Sequence, residues 1–330
     1  MLKNKIVLVT GGTGSFGKRF TEIALRKFKK LKKLIIFSRD ELKQYEMENY
    51  YKTNPNFEKL RFFLGDIRDK ARLDMAFRDI DIVIHAAALK QVPSSEYNPF
   101  ETIKTNVFGT QNVVEACIEN NVSKLISLST DKASSPVNLY GATKLLADKI
   151  AVGADYIKGN SKLISSVVRY GNVMASRGSI IPILIRSKNE KKIKLTDKNM
   201  TRFNISLDEA IDLVLHSLKK AKGGEIFVPK LPSYKLIDLT KAIAPNAKLK
   251  FTGVRPGEKV HEEMISYTES ANTIEYLNYY VILPSFREYK LEDYIKKNGG
   301  KKIIKQFSYA SNTNKKFLKV ADIRKIISKI

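Results

Sequence analysis

Lys5-Ile6-Val7-Leu8-Val9-Thr10 runs without a break into Gly11-Gly12-Thr13-Gly14-Ser15-Phe16-Gly17, and a helical pattern follows to about Lys30. The apolar, β-branched run reads as a short buried strand. The glycines then turn the chain sharply and bare the backbone, and the helix that starts there aims its free N–H groups at whatever lies in front of it. Such an arrangement attracts phosphate. The spacing is G-x-x-G-x-x-G, and a glycine-rich loop alone says little. Placed directly between a first strand and a first helix it marks a dinucleotide site, with Gly11, Gly14, Ser15, Phe16 and Gly17 as the residues against the pyrophosphate.

Outward from this turn the pattern repeats. Further buried-strand runs fall at Leu34–Phe37, Leu60–Leu64, Ile80–His85, Lys124–Leu128, Ser165–Val168 and Glu225–Val228, with helical patterns at about Glu41–Tyr51, Asp69–Phe77, Pro99–Asn120 and Asn138–Ile157. Alternating strands and helices predict an α/β fold with a parallel, doubly wound sheet of Rossmann type. Residues 1–170 form this nucleotide-binding domain, and 206–229, a helix and a strand, return to it. The polar loops of 171–205 and 230–330 form a smaller substrate region.

In a doubly wound sheet ligands sit beyond the carboxyl ends of the strands. Those ends carry Ser38-Arg39, then Asp66-Ile67, Ala86-Ala87-Ala88 and Ser129-Thr130-Asp131-Lys132. Arg39 stands where the adenosine ribose is met, and an arginine there suits the 2′-phosphate of NADP. Lys43 adds a second positive contact, while the neighbouring Asp40 keeps NAD open. Asp66 suits the adenine amino group, with a helix N-cap as its plainer role.

Eight residues beyond Lys132 comes Tyr140-Gly141-Ala142-Thr143-Lys144. Positions i and i+4 share a helix face, so Lys144 is placed to lower the pKa of the Tyr140 phenol from about 10. Asp131 and Lys132 add a second acid/base pair. One pair suits alcohol oxidation, and the other suits removal of a proton with expulsion of water.

Composition narrows the class. With 330 residues, 43 % hydrophobic and 28 % charged, the chain is globular. No run approaches the ~20 apolar residues of a membrane span, and Ile6–Val9 is too short for a signal core. The single Cys117 rules out an intrachain disulfide, sits in a helical apolar pattern and fits the cytoplasm. The net charge of +25 is spread over scattered lysines with no nucleic-acid module, so neither nucleic acid nor membrane is expected as partner. His85, His216 and His261 lack metal-ligand spacing, and no metal is expected.

The stretches TGGTGSFG, SRDELK, GDIRD, HAAALK, LSTDKA, NLYGATK, RYGNV, SRGS and GVRPGEKVHE occur in this order between about Lys5 and Met264. Together they resemble the extended short-chain dehydrogenases/reductases, and more narrowly the soluble UDP-N-acetylglucosamine 4,6-dehydratases that invert carbon 5, lyases which open pseudaminic acid biosynthesis for flagellin and surface glycans. The chain departs from that pattern at Gln91, Ala175 and Asn204.

The resemblance implies a mechanism. Tyr140 takes the proton of the sugar 4-hydroxyl as hydride passes to NADP⁺, and Lys144 lowers the Tyr140 pKa and holds the nicotinamide ribose. Lys132, neutral with its pKa lowered by burial and by the nearby cation Lys144, removes the carbon-5 proton. Asp131 protonates the departing 6-hydroxyl, Thr130 polarises the reacting oxygen, and hydride returns to carbon 6. The resemblance further implies Lys90, Asn172, Val173, Arg177, Arg255 and Glu258 against the nucleotide sugar UDP-GlcNAc, together with Thr130, Lys132 and Tyr140. On the cofactor side it adds Ala86 to Ala88, Lys90, Ser129 and Asn106, the last as the residue that orders the active-site helix and water. A homo-oligomer, dimer or hexamer, goes with it. The rivals are a retaining 4,6-dehydratase, a UDP-sugar 4-epimerase or reductase needing only Tyr140 and Lys144, and a non-catalytic NADP-binding protein.

Overall fold

A computed structural model of the chain describes residues 1–174, 180–187, 190, 192–285 and 291–328. Six strands in chain order, β1 (Ile6–Thr10), β2 (Lys33–Ser38), β3 (Leu60–Leu64), β4 (Ile82–His85), β5 (Lys124–Thr130) and β6 (Ile164–Tyr170), pair in parallel in the spatial order β3-β2-β1-β4-β5-β6. This is the doubly wound order with its switch between β1 and β4, where a crevice opens at the strand ends. Ile226–Pro229 joins β6 in parallel. Tyr279–Ile282, Thr273–Glu275 and Lys301–Lys302 then extend the same sheet antiparallel. The stretch 230–330 is therefore divided between the main sheet and smaller ones, instead of forming one separate region. The extending strands have only two to four residues each, too few for a legible period.

Helices α1 (Ser15–Lys27), α2 (Glu41–Tyr51), α3 (Lys70–Ala76), α4 (Val92–Tyr97), α5 (Pro99–Ile103), α6 (Gly109–Glu119) and α7 (Leu139–Ile157) accompany the parallel strands. Successive strand residues point to opposite faces, so each buried strand feeds two cores. Val7 and Val9 pack with Phe20, Ile23 and Ala24 of α1, while Leu8 packs with Val113, Val114 and Cys117 of α6. Each such fully buried aliphatic side chain contributes roughly 1.5–3 kcal/mol. Cys117 is wholly buried and its thiol is pushed well up by that burial, as a packing residue should be.

A third core, including Met174, Ile181, Leu184, Ile193, Tyr234, Leu239 and Ile323, lies under the smaller sheets. In one of these, Asn172–Val173 and Ser233–Lys235 flank Thr201–Ile205. Among the described residues no helix is long and apolar enough to cross a membrane.

Candidate active site

The glycine turn is shaped by contacts that exclude side chains. Gly11 has φ +64°, and a Cβ there would lie 2.8 Å from the Ala87 Cα. Gly14 donates its N–H to the Gly11 carbonyl at 2.9 Å and precedes α1, whose first turn holds Ser15, Phe16 and Gly17. Gly17 backs directly onto Gly12. No side chain caps α1 and no acidic residue sits in its first turn. A bare, positively polarised helix end behind a left-handed glycine fits a dinucleotide pyrophosphate.

The loop after β4 forms the opposite wall. Thr10 Oγ1 accepts the N–H groups of Ala86 and Ala87 at 3.2 and 3.3 Å and meets His85 Nδ1 at 2.8 Å. His85 Nε2 lies 3.1 Å from Thr110 Oγ1, which in turn donates to the Asn106 carbonyl at 2.7 Å. Burial, with Lys144 nearby, pulls the His85 pKa down to about 3, so the ring is neutral and structural.

Asn106 lies in a π-helical turn, Lys104–Phe108, between α5 and α6. Such widened turns recur at functional sites because they swing a side chain out of helical register. Here the amide accepts from Leu89 N at 2.8 Å, and donates to Leu89 O at 2.9 Å and Thr143 Oγ1 at 3.0 Å. It clasps the Ala86–Lys90 loop to α7. Ala88 and Lys90 lie in that loop, with Lys90 exposed at its end.

At the adenosine end Ser38 is buried and held by Gln44, while Arg39 is half-exposed, 3.7 Å from Asp66. Asp40 caps α2 through the Lys43 N–H and also pairs with the Lys43 ammonium. Asp66 is not the helix cap; that place belongs to Asp69. Burial alone would raise the Asp66 carboxyl, but the Arg68 side chain and N–H, together with Arg39, outweigh it and hold it below its ordinary range. Ile67 is buried, and its carbonyl accepts from Asn112 at 3.0 Å.

Beyond β5 the acid/base groups converge. Asp131 is fully buried, and Thr130 donates to its Oδ1 at 3.0 Å. Burial raises the Asp131 carboxyl, Glu262 adds to the rise, and Lys132 and Thr130 only partly oppose it. Lys132 Nζ lies 3.0 Å from Asp131 Oδ1, 3.0 Å from Glu262 Oε1 and 3.3 Å from Asn172 Oδ1. Its side chain keeps 24 % of its surface exposed, enough for a ligand to reach it.

This corrects the sequence expectation for Lys132. Burial would lower its pKa, but the carboxyl groups of Asp131 and Glu262 outweigh burial and hold it well above the ordinary lysine value. The neutral, lowered lysine expected from Lys144 is not the state of the ligand-free chain.

Tyr140 also differs from expectation. Burial pushes its phenol up to about 12, against the pull of Lys132 and of a hydrogen bond shared with Thr130. Lys144 donates to the Leu128 carbonyl at 2.7 Å, and burial lowers its ammonium despite Asp148.

Sequence reasoning gave no role to two residues behind this cluster. Arg169, with no exposed surface, meets Glu269 at 2.9 Å, Asp148 at 3.3 Å and the Met264 carbonyl at 3.0 Å. Asp148 accepts from Ser129 Oγ at 2.7 Å and is raised by burial, with Arg169 and Lys144 opposing. The third omission is Glu262, buried to 2 % and the last residue of the quoted GVRPGEKVHE stretch. Its place in that motif was the one signal that could have given it a role.

On the substrate side Asn138 caps α7 through Gly141 N and donates to the Gly257 carbonyl at 2.8 Å, fastening the Arg255–Gly257 loop beside Tyr140. Arg255 is 70 % exposed and bonds Glu258 at 3.1 Å, so its guanidinium faces solvent on a tethered loop. Asn172 and Val173 pair with Asn204 and Ile205. Arg177 and Ala175 lie outside the described residues.

The fold and these strand-end residues define an extended short-chain dehydrogenase/reductase scaffold. The chain belongs to the family described as polysaccharide biosynthesis protein, which matches residues 7–284. A relative from Campylobacter jejuni serotype O:23/36, "UDP-N-acetylglucosamine 4,6-dehydratase (inverting)", is 49 % identical over 99 % of this chain and 98 % of its own. A "UDP-glucose 4-epimerase" from Rickettsia bellii is 40 % identical over 99 % of this chain and 96 % of its own. Among solved structures, Pen from Bacillus thuringiensis superposes with a TM-score of 0.89 at 36 % identity, covering 100 % of this chain and 99 % of that one. DesIV, a dTDP-glucose 4,6-dehydratase from Streptomyces venezuelae with NAD and TYD bound, shares the fold with a TM-score of 0.68 at 22 % identity, over 77 % and 86 % of the two chains.

Proposed function

We propose that the chain dehydrates UDP-N-acetylglucosamine to a UDP-4-keto-6-deoxy sugar with inversion at carbon 5, using NADP. The observation that carries this reading is the meeting of Asp131, Lys132 and Tyr140 at the end of β5, with Thr130 bonded to both Tyr140 and Asp131. A 4-epimerase or reductase has work for Tyr140 and Lys144 but none for an acid and a second base. The names of the relatives support the dehydratase, and the epimerase is the second reading because relatives near 40 % identity carry that name.

NADP, when bound, supplies a reversible hydride store. The glycine turn and the start of α1 hold its pyrophosphate, Arg39 and Lys43 its ribose phosphate, and Asp66 and Ile67 its adenine. Ala86 to Ala88, Lys90, Ser129 and Asn106 form the facing wall, and Lys144 orients the nicotinamide end. Lys90, Asn172, Val173, Arg177, Arg255 and Glu258 surround the nucleotide sugar. Tyr140, a phenol at rest, must first shed its own proton; as phenolate it takes the 4-hydroxyl proton, and Thr130 polarises that oxygen. Asp131, raised by burial, is the acid that protonates the departing 6-hydroxyl. Lys132 removes the carbon-5 proton, and as an ammonium at rest it must first shed one of its own. We place the reaction in the cytoplasm, at the first step of pseudaminic acid synthesis for flagellin and other surface glycans, in a homo-oligomer.

The test is incubation of the cofactor-loaded protein with UDP-N-acetylglucosamine in deuterated water, followed by NMR. A 4-keto-6-deoxy product with deuterium at inverted carbon 5, formed without consumption of added NADPH, is expected. Epimerisation at carbon 4 alone, or an unchanged sugar, refutes the assignment.

A further inference from the structure

Lys132 Nζ has three N–H bonds and three oxygen neighbours, one each from Asp131, Glu262 and Asn172. An ammonium held in this way has no lone pair, so one N–H bond must break before the nitrogen can take a proton from carbon. The amide oxygen of Asn172 is too weak a base to receive that proton. Asp131 is engaged elsewhere on the reading above, since it gives its own proton to the 6-hydroxyl.

Glu262 remains. Its Oε1 is 3.0 Å from Nζ, and its Oε2 is buried with no hydrogen-bond partner. The backbone on either side of the carboxyl is fixed: Ser311 Oγ accepts the Glu262 N–H at 2.9 Å, and the Glu262 carbonyl accepts the Ser311 N–H at 2.7 Å. Arg202 Nε lies 3.7 Å from the same Oε1, while its Nη1 donates to the carbonyls of Thr201 and Val260 and its Nη2 to that of Lys259. Tyr234 and Lys259 also face the group, with Glu263 beyond Lys259, and Tyr140 faces Lys132.

We propose that Glu262 is a positioning residue that takes the proton Lys132 gives up. The N–H bond on Nζ breaks as an O–H bond forms on Glu262, and ammonium and carboxylate become amine and carboxylic acid with no change in net charge. The amine then removes the carbon-5 proton and is an ammonium again. The proton on Glu262 passes to water as carbon 5 takes one from water on its opposite face, which closes the count. This assignment rests on the dehydratase reading.

The test compares the wild-type holoenzyme with Glu262→Gln and Glu262→Asp between pH 6 and pH 9. Carbon-5 deuteration and product are followed by NMR, and 4-oxidation by absorbance of the bound reduced cofactor. Gln keeps the oxygen acceptor but cannot take a proton. Dehydration by Glu262→Gln should fall by about 100-fold or more at pH 7, the scale of a lost acid/base partner. Oxidation at carbon 4 and KM should persist, so that reduced cofactor accumulates. The deficit should shrink by about tenfold per pH unit as hydroxide does what Glu262 no longer can. Glu262→Asp, which retains a carboxyl, should keep the wild-type pH dependence.

Dehydration by Glu262→Gln within about threefold of wild type, far short of a lost acid/base partner, overturns the proposal. So does a deficit that pH does not relieve, or a Glu262→Asp profile that follows the Gln profile. A wild-type protein that gives no dehydration removes the dehydratase reading itself, and this assignment with it.

Discussion

Gly141 lies so close beneath Lys132 that a Cβ on it would overlap the Lys132 carbonyl oxygen. The first turn of α7 and the short helical turn Asp131–Ala133 are thus in backbone contact, which is how Tyr140 comes to stand beside Asp131 and Lys132. Helix propensity alone would favour alanine over glycine by about 1 kcal/mol. Overpacking at this contact should outweigh it, and Gly141→Ala is expected to lose ~1–3 kcal/mol in urea denaturation. A stabilised variant would show that the contact yields freely.

Arg169, out of reach of water, balances two carboxylates, the buried Asp148 and the partly exposed Glu269. Arg169→Met leaves Asp148 and Glu269 facing each other without the cation, and breaking a buried pair from one side costs about 3–5 kcal/mol. Denaturant midpoints measure the loss. A change below about 1 kcal/mol, the scale of an exposed pair, would mean that the carboxylates take up protons instead.

Arg39 is the residue on which NADP preference turns in our proposal. Arg39→Ala should weaken NADP binding by ~1.5–3 kcal/mol, the worth of hydrogen bonds to a charged group, and leave NAD binding nearly unchanged. Calorimetric titration of both dinucleotides decides it; equal losses for the two would move the preference away from Arg39.

His85 makes the fold sensitive to acid. The unfolded chain binds a proton on this ring near its ordinary value of 6.5, whereas the folded ring waits until about 3. Between those values the unfolded state holds more protons, so stability is lost as pH falls below 6.5, by up to about 1.4 kcal/mol per pH unit. His85→Gln should flatten that slope in urea titrations between pH 6.5 and 4.5. An unchanged slope would assign the acid sensitivity to other groups.

How much of this was legible from the residues depends on how far apart the partners lie. The strand Ile6–Thr10 and the glycines after it announced themselves because their contacts are local, and β3 fell where its apolar run did, at Leu60–Leu64. Tyr140 and Lys144 share a helix, so their proximity could be read from their spacing. The charge of Lys132 could not. It is set by Asp131 beside it together with Glu262, which arrives from a distant loop, whereas the cation Lys144 suggested the opposite shift. Asn106 drew notice only through the family pattern. The π turn that aims it has no signature of its own in Lys104–Phe108.

Ser134 accepts from Lys259 through its carbonyl and donates to Glu263, 129 positions later in the chain. These tethers run beside the Lys132–Glu262 contact, so the neighbourhood of the lysine is finished by the late part of the polypeptide. During translation the glycine turn and β1 to β6 leave the ribosome well before Glu262 is made. On the function proposed, a nascent chain can therefore build its nucleotide cradle while its proton-transfer groups are still apart, and catalytic competence is among the last properties it acquires at birth.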